Sequence, residues 1–405
     1  MTLTDQIVKN IIMNMNKLKE LLLKIAELGK QNPSIPLIKN VFPFRYYFDE
    51  RNNLISEKLL DNDGLWTRRE ILTRYLFLQA VLDQGPDIIG IRQLLSDVTN
   101  SLYEKEVRFL HRPLDFFKEV GVSVDEILLN HEKIKNIRAE DWAKENKSTP
   151  NRYNLYMDNT KQVLGYAVYR WGVPLAVPYL LEKDLQKENK TSTEPLVNFL
   201  ENFISAEIMS REIKDNERYG LGKAIGDKAA HLFAKWYIHT FKLCKNTITS
   251  WNNNSFELPF DSNVGRVLLR TGYLLELATL KDYEDWNVIQ KGAGKGGKHY
   301  IRVTNLRGKS VQNNIDEKFK EGYNDITINY LKTKKRPPKN IEIQQTFNVF
   351  LKDTNYGIGH LDDGMVYIGT NFCKNHDIPL CEKCPIKKLC EGFNNKNELI
   401  YDYRT

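Results

Sequence analysis

The sequence contains few cysteines and no long apolar run. Only five of its 405 residues are cysteine, too few for a disulfide framework to hold a chain of this size together. No apolar run approaches the length needed to cross a bilayer, and no low-complexity tract or fixed-period repeat occurs. The mean hydropathy is −0.50. These absences predict a cytoplasmic chain with no membrane partner.

The charge is moderately basic. Lys and Arg number 59 against 52 Asp and Glu, which gives a net charge of +7. This excess fits a nucleic-acid partner, although many enzymes carry as much. The length predicts two or three lobes. We expect an N-terminal helical extension at 1–60, a helical core at 61–285, a basic insertion at 286–345 and a C-terminal segment at 346–405.

Apolar spacing is helical over most of the chain, so the predicted fold class is mostly α. Residues 1–30 are predicted to form one amphipathic helix. Further helices are predicted at 66–82, 88–103, 113–120, 124–135, 158–171, 174–182, 195–212, 226–242 and 263–280. Residues 365–368 form a short β-like run, and the insertion at 286–345 is predicted to be irregular or α/β.

Four of the five cysteines lie in one short segment: Cys373, Cys381, Cys384 and Cys390. Gathered thiolates provide four soft ligands, which suit zinc or an iron–sulfur cluster. Structural zinc usually shows two short ligand pairs separated by a longer stretch. Here one Cys-x-x-Cys is flanked by gaps of seven and five residues. This spacing favours a cluster, and zinc is the alternative.

The cysteine spacing resembles the C-terminal loop of the endonuclease III and adenine-glycosylase branch of the helix–hairpin–helix DNA glycosylases. The family loop reads Cys-x6-Cys-x2-Cys-x5-Cys, so the first gap is one residue longer here. The pair formed by Cys384 and Pro385 also occurs in adenine glycosylases. The resemblance implies a 4Fe-4S cluster, double-stranded DNA as partner, and two helical lobes with a helix–hairpin–helix motif and a C-terminal cluster loop.

A second part of the resemblance lies at 224–230, which reads Ala-Ile-Gly-Asp-Lys-Ala-Ala. The family hairpin reads Gly-apolar-Gly-x-Lys-Thr/Ala-Ala, so Gly226 keeps the second glycine and Ala224 replaces the first. Hairpin glycines let backbone N–H groups approach DNA phosphates closely. The resemblance implies DNA contacts at Lys223, Ala224 and Gly226, and a nucleophilic amine at Lys228. A solvated helical lysine is the alternative for Lys228.

The segment 260–270 reads Phe-Asp-Ser-Asn-Val-Gly-Arg-Val-Leu-Leu-Arg. It is similar to the adenine-glycosylase run Leu-Asp-Gly-Asn-Val-Lys-Arg-Val-Leu-Ala-Arg. The aspartate is the essential carboxylate of the family, which implies a catalytic role for Asp261. An aspartate ahead of an amphipathic run is also a helix N-cap signal, and this is the structural alternative. The interval from Lys228 to Asp261 is longer than in the family.

Two further segments are candidate DNA contacts. Gln84 lies in a Gln-Gly-Pro-Asp break, where the family carries a Gln-containing loop that enters the gap left by a flipped base. An ordinary turn explains Gln84 equally well. Lys295 and Lys298 lie on a Gly/Lys-rich loop suited to phosphate contacts, and a solvated loop explains them equally well. That loop also matches Gly-x4-Gly-Lys, but His299 replaces the Ser or Thr of nucleotide-binding loops, so no nucleotide cofactor is predicted.

The combined interpretation is a DNA glycosylase that excises a damaged or modified base by base flipping. Asp261 would stabilise the oxocarbenium-like transition state. Lys228 would attack C1′ and form a Schiff base, which implies AP-lyase activity. The alternatives are a monofunctional glycosylase, a catalytically silent DNA-binding protein and a zinc-containing helical interaction protein. We expect a monomer that is nucleoid-associated when bound to DNA.

Overall fold

A computed structural model describes residues 3–36, 38–51, 53–60, 64–83, 88–119, 167–246, 256–259, 262–273, 347–374 and 379–394. Extended pairing within these ranges is limited to isolated bridges, between Phe48 and Leu54 and between Leu60 and Thr67. The predicted mostly α fold class is therefore confirmed. No helix in these ranges is both long and apolar enough to span a membrane.

In chain order, the main helices are α1 (Leu3–Gln31), α2 (Arg68–Leu82), α3 (Ile88–Glu104), α4 (Pro113–Glu119), α5 (Ala167–Lys187), α6 (Pro195–Glu201), α7 (Ala206–Asp215), α8 (Asp227–Ala234), α9 (Ser262–Arg270), α10 (Ile358–Asn371) and α11 (Glu391–Asn394). Helix α8 continues as a π-helical segment at Lys235–Thr240.

The helices belong to two units of the chain. Unit 1 comprises Met1–Ser34 and Glu257–Thr405, and unit 2 comprises Ile35–Phe256. Unit 1 therefore combines the first helix with the C-terminal part of the chain, and it contains the four clustered cysteines. Unit 2 contains the segment that resembles the glycosylase hairpin.

Helix α2 is the central helix of unit 2. Thr67 precedes it with extended backbone, and its Oγ1 accepts a hydrogen bond from the Glu70 N–H at 3.2 Å. This is a side-chain N-cap, which satisfies one of the free N–H groups at the start of the helix. Every residue from Arg69 to Val81 is buried. On one side of α2, the Phe77 ring packs edge-on against Phe233 of α8.

The buried charges of α2 have partners within unit 2. Arg74 is 1% exposed, and it donates hydrogen bonds of 2.8 Å to the carboxylates of Glu70 and Glu182. Glu70 also accepts hydrogen bonds from the N–H groups of Leu196 and Val197, at 3.1 and 3.0 Å. These N–H groups belong to the first turn of α6, so one buried carboxylate caps a neighbouring helix and neutralises an arginine.

In unit 1, α1 packs closely along α10. A Cβ atom on Gly29 would overlap the backbone of His360, and one on Gly364 would overlap the carbonyl oxygen of Ile25. The two backbones therefore approach as closely as glycine permits. Beside this crossing the apolar side chains of α1, such as Leu22 and Ile25, are fully buried. The predicted helix is confirmed, and from Leu18 to Leu28 most of its apolar side chains are buried.

The β-like prediction for 365–368 is wrong, because these residues lie inside α10. A short apolar run cannot be assigned to a strand or a buried helix from its periodicity alone. Here the flanking residues decide the outcome, because the apolar positions extend from Ile358 to Ile368 and most of them are buried. That length suits a helix packed on several sides.

Two predicted helix boundaries also differ. The segments 158–171 and 174–182 were expected to be separate helices, but α5 runs without a break through Pro174 and Pro178. Burial of residues 171–178 offsets the hydrogen bonds that the prolines remove. The predicted helix at 195–212 is divided into α6 and α7, because the Ser205 hydroxyl caps α7 by accepting from the Ile208 N–H at 3.2 Å.

Candidate functional site

One pocket of unit 1 is lined by all four clustered cysteines. Its walls come from the ends of α9 and α10 and from residues 379–393. Around the cysteines the lining is largely apolar. It includes Val267, Ile368, Phe372, Ile386 and Phe393, together with Arg270. The cysteine segment identified in the sequence therefore forms one side of this pocket, and all four thiols belong to its lining.

Short turns position the cysteines along this segment. The Cys373 N–H donates to the Ile368 carbonyl at 2.8 Å, which carries the chain out of α10. The Cys384 N–H donates to the Cys381 carbonyl at 3.1 Å, and the Cys390 N–H to the Lys387 carbonyl at 3.2 Å. Both of these bonds close 3₁₀ turns. Because i→i+3 turns are compact, the first of them keeps Cys381 and Cys384 close together.

Burial controls the protonation of two of these thiols. Burial raises the pKa of Cys384 to about 12, and the nearby Cys373, Cys390 and Cys381 add to the increase. A hydrogen bond from the backbone of Ile386 acts in the opposite direction. Burial likewise raises the pKa of Cys390 to about 11. The mutual effects mean that the thiols lie within electrostatic reach of one another, and metal binding here would release protons.

The donor set fits a soft metal centre. None of the five cysteines forms a disulfide. In the described part of the chain, no three His, Cys, Asp or Glu side chains are already arranged to hold a metal ion. The described residues of the pocket wall include four thiols but no carboxylate or imidazole. Four sulfur ligands without oxygen or nitrogen ligands suit zinc or an iron–sulfur cluster, and are unsuited to magnesium or calcium.

Arg270, the last residue of α9, is 6% exposed and lies in the wall of the cysteine pocket. Its Nη1 donates to the Cys373 Sγ at 3.3 Å and to the Lys374 carbonyl at 3.1 Å. Its Nε is buried and has no hydrogen-bond partner. Within the described residues, no carboxylate lies within ion-pair distance of this guanidinium. Among the described residues, the side chain that Arg270 reaches by a hydrogen bond is that of Cys373, so Arg270 is a buried cation directed at a sulfur atom.

Arg266 lies one turn earlier on α9, and its described hydrogen bonds go to backbone carbonyls and an asparagine side chain. Its Nε donates to the Cys373 carbonyl at 2.6 Å, and its Nη2 donates to the Gly369 carbonyl at 3.0 Å and to the Asn263 Oδ1 at 2.5 Å. These hydrogen bonds join α9 to the last turn of α10 and to the first cysteine. Arg266 therefore holds the frame of the pocket, whereas Arg270 lines it.

The far end of the cysteine segment is held by α9 and α1. The Glu391 N–H donates to the Thr271 carbonyl at 3.2 Å, and the Glu391 carboxylate forms an ion pair with Lys17. Gly272 has a φ of +81°, and a Cβ there would overlap the Glu391 side chain. Glycine at this position thus permits both the turn and the close approach of α11.

In unit 2, α7 and α8 pack against each other and are joined by a tight connection. The Leu221 N–H donates to the Ile213 carbonyl at 2.9 Å, which folds the connection back on α7. Gly222 has a φ of +52° and opens a 3₁₀ turn at Gly222–Ala224. Across the connection, Lys214 Nζ and Asp227 Oδ1 form an ion pair of 2.5 Å.

The predicted hairpin residues occupy distinct positions in this connection. Ala224 is buried, with 4% exposure. Gly226 is exposed and precedes α8 with a φ of −99°, and a Cβ there would meet nothing within 4 Å. Lys228 is half-buried in the first turn of α8. The backbone of Lys223 lies in the 3₁₀ turn, and its side chain is outside the described structure.

Four predicted site residues lie outside the described residues: Gln84, Asp261, Lys295 and Lys298. For Asp261 the neighbouring structure is described, because α9 begins at the next residue, Ser262. Comparisons with family models, with curated proteins and with solved structures found no match.

The sequence did not identify Arg270 and Arg266 as parts of the cysteine site. The available signal was two arginines at i and i+4 on the polar side of a short amphipathic segment, which in most helices would face solvent. Their burial depends on the return of the chain about 100 residues later, when Cys373 reaches α9. Such contacts are not visible in local periodicity.

Proposed function

We propose that this chain is a helix–hairpin–helix DNA glycosylase with a C-terminal 4Fe-4S cluster and two helical lobes, and that it excises a damaged or modified base from double-stranded DNA. One observation carries the proposal. The nine-residue helix α9 begins directly after Asp261 and ends in the wall of the four-cysteine pocket. The two parts of the sequence that most resemble this family therefore adjoin one short helix.

Cys373, Cys381, Cys384 and Cys390 would hold the cluster. The four soft sulfur donors of the pocket and the backbone hydrogen bonds to Cys384 and Cys390 support this assignment. When bound, the cluster supplies a cross-link between the end of α10 and residues 379–394. The protein's own contribution is the surrounding apolar wall, which limits access of water to the sulfur atoms.

Lys228 and Asp261 would carry the chemistry. Lys228 is in the first turn of α8, where the positive end of the helix dipole disfavours a protonated amine. The adjacent Asp227 would favour the protonated amine, but its charge is engaged by Lys214. A neutral Lys228 amine would attack C1′ of the flipped nucleotide as the base leaves. The Asp261 carboxylate would stabilise the positive charge that develops on the sugar.

Gly226 would allow the connection between α7 and α8 to contact a DNA phosphate. The residue is exposed, precedes the N-terminus of α8, and is not required to be glycine by backbone strain or by neighbouring atoms. A role for glycine at this position is thus better explained by an external group that approaches the backbone. Gly226→Ala should fold normally and weaken DNA binding, which fluorescence anisotropy would measure at several salt concentrations.

A panel of duplexes with different damaged and modified bases tests the activity. We expect the wild-type protein to release one class of base and to be trapped on DNA by borohydride. Asp261→Asn should abolish base release while leaving DNA affinity nearly unchanged. Lys228→Ala should lose borohydride trapping, because no Schiff base can form.

Base release without trapping by the wild-type protein would make it a monofunctional glycosylase. Salt-sensitive DNA binding without release of any base in the panel would favour a catalytically silent DNA-binding protein. DNA affinity indifferent to salt would contradict a DNA substrate altogether.

A further inference from the structure

Arg270 is a buried guanidinium that pairs with no carboxylate of the described residues. It is 6% exposed, its Nε has no hydrogen-bond partner among those residues, and its Nη1 donates to a cysteine sulfur and a carbonyl group. A cation in such surroundings needs another source of negative charge. Removing a cation from water costs several kcal/mol unless it is paired, on the order of the penalties measured for buried ions. Carbonyl groups alone offset this cost poorly because they carry no net charge.

The cysteines of the pocket that Arg270 lines can supply this negative charge when they bind a metal. Four cysteines that ligate a metal centre do so as thiolates, which carry four negative charges before the metal is counted. A [4Fe-4S]²⁺ core or a single Zn²⁺ ion leaves a net charge of about −2 on the complex. The Arg270 guanidinium would offset part of this negative charge. The apolar side chains around it lower the local dielectric constant, which strengthens the attraction between the two charges.

We propose that Arg270 is the charge-compensating residue of the thiolate site, and that it sets both the retention of the metal centre and its reduction potential. The inference depends on the proposed metal centre but not on DNA glycosylase activity. Arg270 is a positioning residue, since it acts through the cysteine ligands. The described hydrogen bonds of Arg266 go instead to Cys373 O, Gly369 O and Asn263 Oδ1.

Two substitutions separate charge from packing. Arg270→Met keeps much of the side-chain volume and removes the charge, whereas Arg270→Lys keeps the charge and loses the planar fork. Both full-length variants would be purified without oxygen beside the wild type. The measurements are iron, zinc and acid-labile sulfide per chain, the rate of metal release to a chelator, and the midpoint potential by protein-film voltammetry.

We expect Arg270→Met to release metal about 10–100-fold faster than the wild type, which is the usual effect of removing a group that supports metal ligands. Its midpoint potential should be more negative, because loss of a positive charge makes the centre harder to reduce. Arg270→Lys should restore most of both properties. If Arg270→Met does not fold, the neutral Arg270→Gln replaces it in the comparison with Arg270→Lys.

Release rates and potentials equal to those of the wild type in the neutral variant would overturn the role of Arg270. Equal losses in the Met and Lys variants would also overturn it, since packing rather than charge would then be responsible. A wild type that contains zinc without sulfide would refute the iron–sulfur assignment alone, because faster zinc release by Arg270→Met would still support charge compensation. A wild type that binds neither metal would refute both.

Discussion

Buried arginines in the two units have different hydrogen-bond partners. In unit 2, Arg74 is held by the carboxylates of Glu70 and Glu182, and Arg69 by those of Glu194 and Glu201. In unit 1, Arg270 is almost as deeply buried, but its described contacts are a cysteine sulfur and a carbonyl group. Unit 2 provides carboxylates for these two buried arginines, whereas the cysteine pocket of unit 1 provides thiols for Arg270.

This difference predicts that the stability of the two units depends differently on a bound metal. The arginines of unit 2 are held by carboxylates of the chain itself, so these pairs form when the chain folds and need no added group. Thiols with pKa values near 11 and 12 become anionic at neutral pH only when a metal displaces their protons. We therefore expect unit 2 to be indifferent to metal and unit 1 to depend on it.

Loss of one cysteine ligand should have the largest effect. Cys384→Ser should remove the metal centre and unfold the segment around 379–394, because metal binding and local folding are coupled. Metal analysis and limited proteolysis would detect both consequences. Cys244→Ser is the matched control, since Cys244 is also a half-buried free thiol but lies in unit 2. A Cys384→Ser protein with full metal content would contradict the assignment.

Loss of a buried carboxylate in unit 2 should be the next largest effect. Glu70→Gln removes the charge that faces Arg74 and weakens the cap on α6. Breaking one partner of a buried ion pair typically costs about 3–5 kcal/mol, which urea unfolding would measure. Metal content per folded chain should not change. A parallel loss of metal at constant folding would mean that the two regions are not independent.

A methyl group at the crossing of α1 and α10 should destabilise unit 1 without touching a cysteine. In Gly364→Ala the new Cβ would overlap the Ile25 carbonyl, so the helices must separate. Overpacking of this kind costs about 1–3 kcal/mol. Gly226→Ala is the control, because its Cβ would meet nothing within 4 Å. Equal melting temperatures for the two variants would argue against the close crossing.

An exposed ion pair of unit 2 should contribute least. Hydrogen bonds from Arg218 lower the pKa of Asp184 from 3.8 to about 2. This pair therefore stabilises the folded state above about pH 4, and the contribution disappears as the pH falls through 2. Asp184→Asn should cost at most about 1 kcal/mol at neutral pH. Urea unfolding between pH 2 and 7 would show the difference from wild type shrinking as the pH falls; a constant difference would contradict it.

Local signals in the sequence predicted most of the described helices. The apolar stripe of α1 and the break after Leu82 are properties of consecutive residues, and both match the structure. The division at Ser205 was missed although the serine is an ordinary cap signal. The continuous α5 could not be foreseen, because burial of its prolines depends on contacts with other helices.

The candidate site was predictable as a set of cysteines but not as a pocket. The spacing indicated shared ligation, and the structure places all four thiols in one wall. The roles of Arg266 and Arg270 depend on residues more than 100 positions away, which no local pattern reveals. The proposed roles of Lys228 and Asp261 remain predictions, since the described residues include Lys228 but not Asp261.

Iron and acid-labile sulfide analysis of the full-length protein, purified without oxygen, tests the central claim most directly. We predict a brown protein with about four irons and four sulfides per chain, as a 4Fe-4S cluster held by four cysteines requires. The Cys244→Ser variant should give the same values, and the Cys384→Ser variant values close to zero. One zinc per chain with no sulfide, or no bound metal at all, would contradict the account.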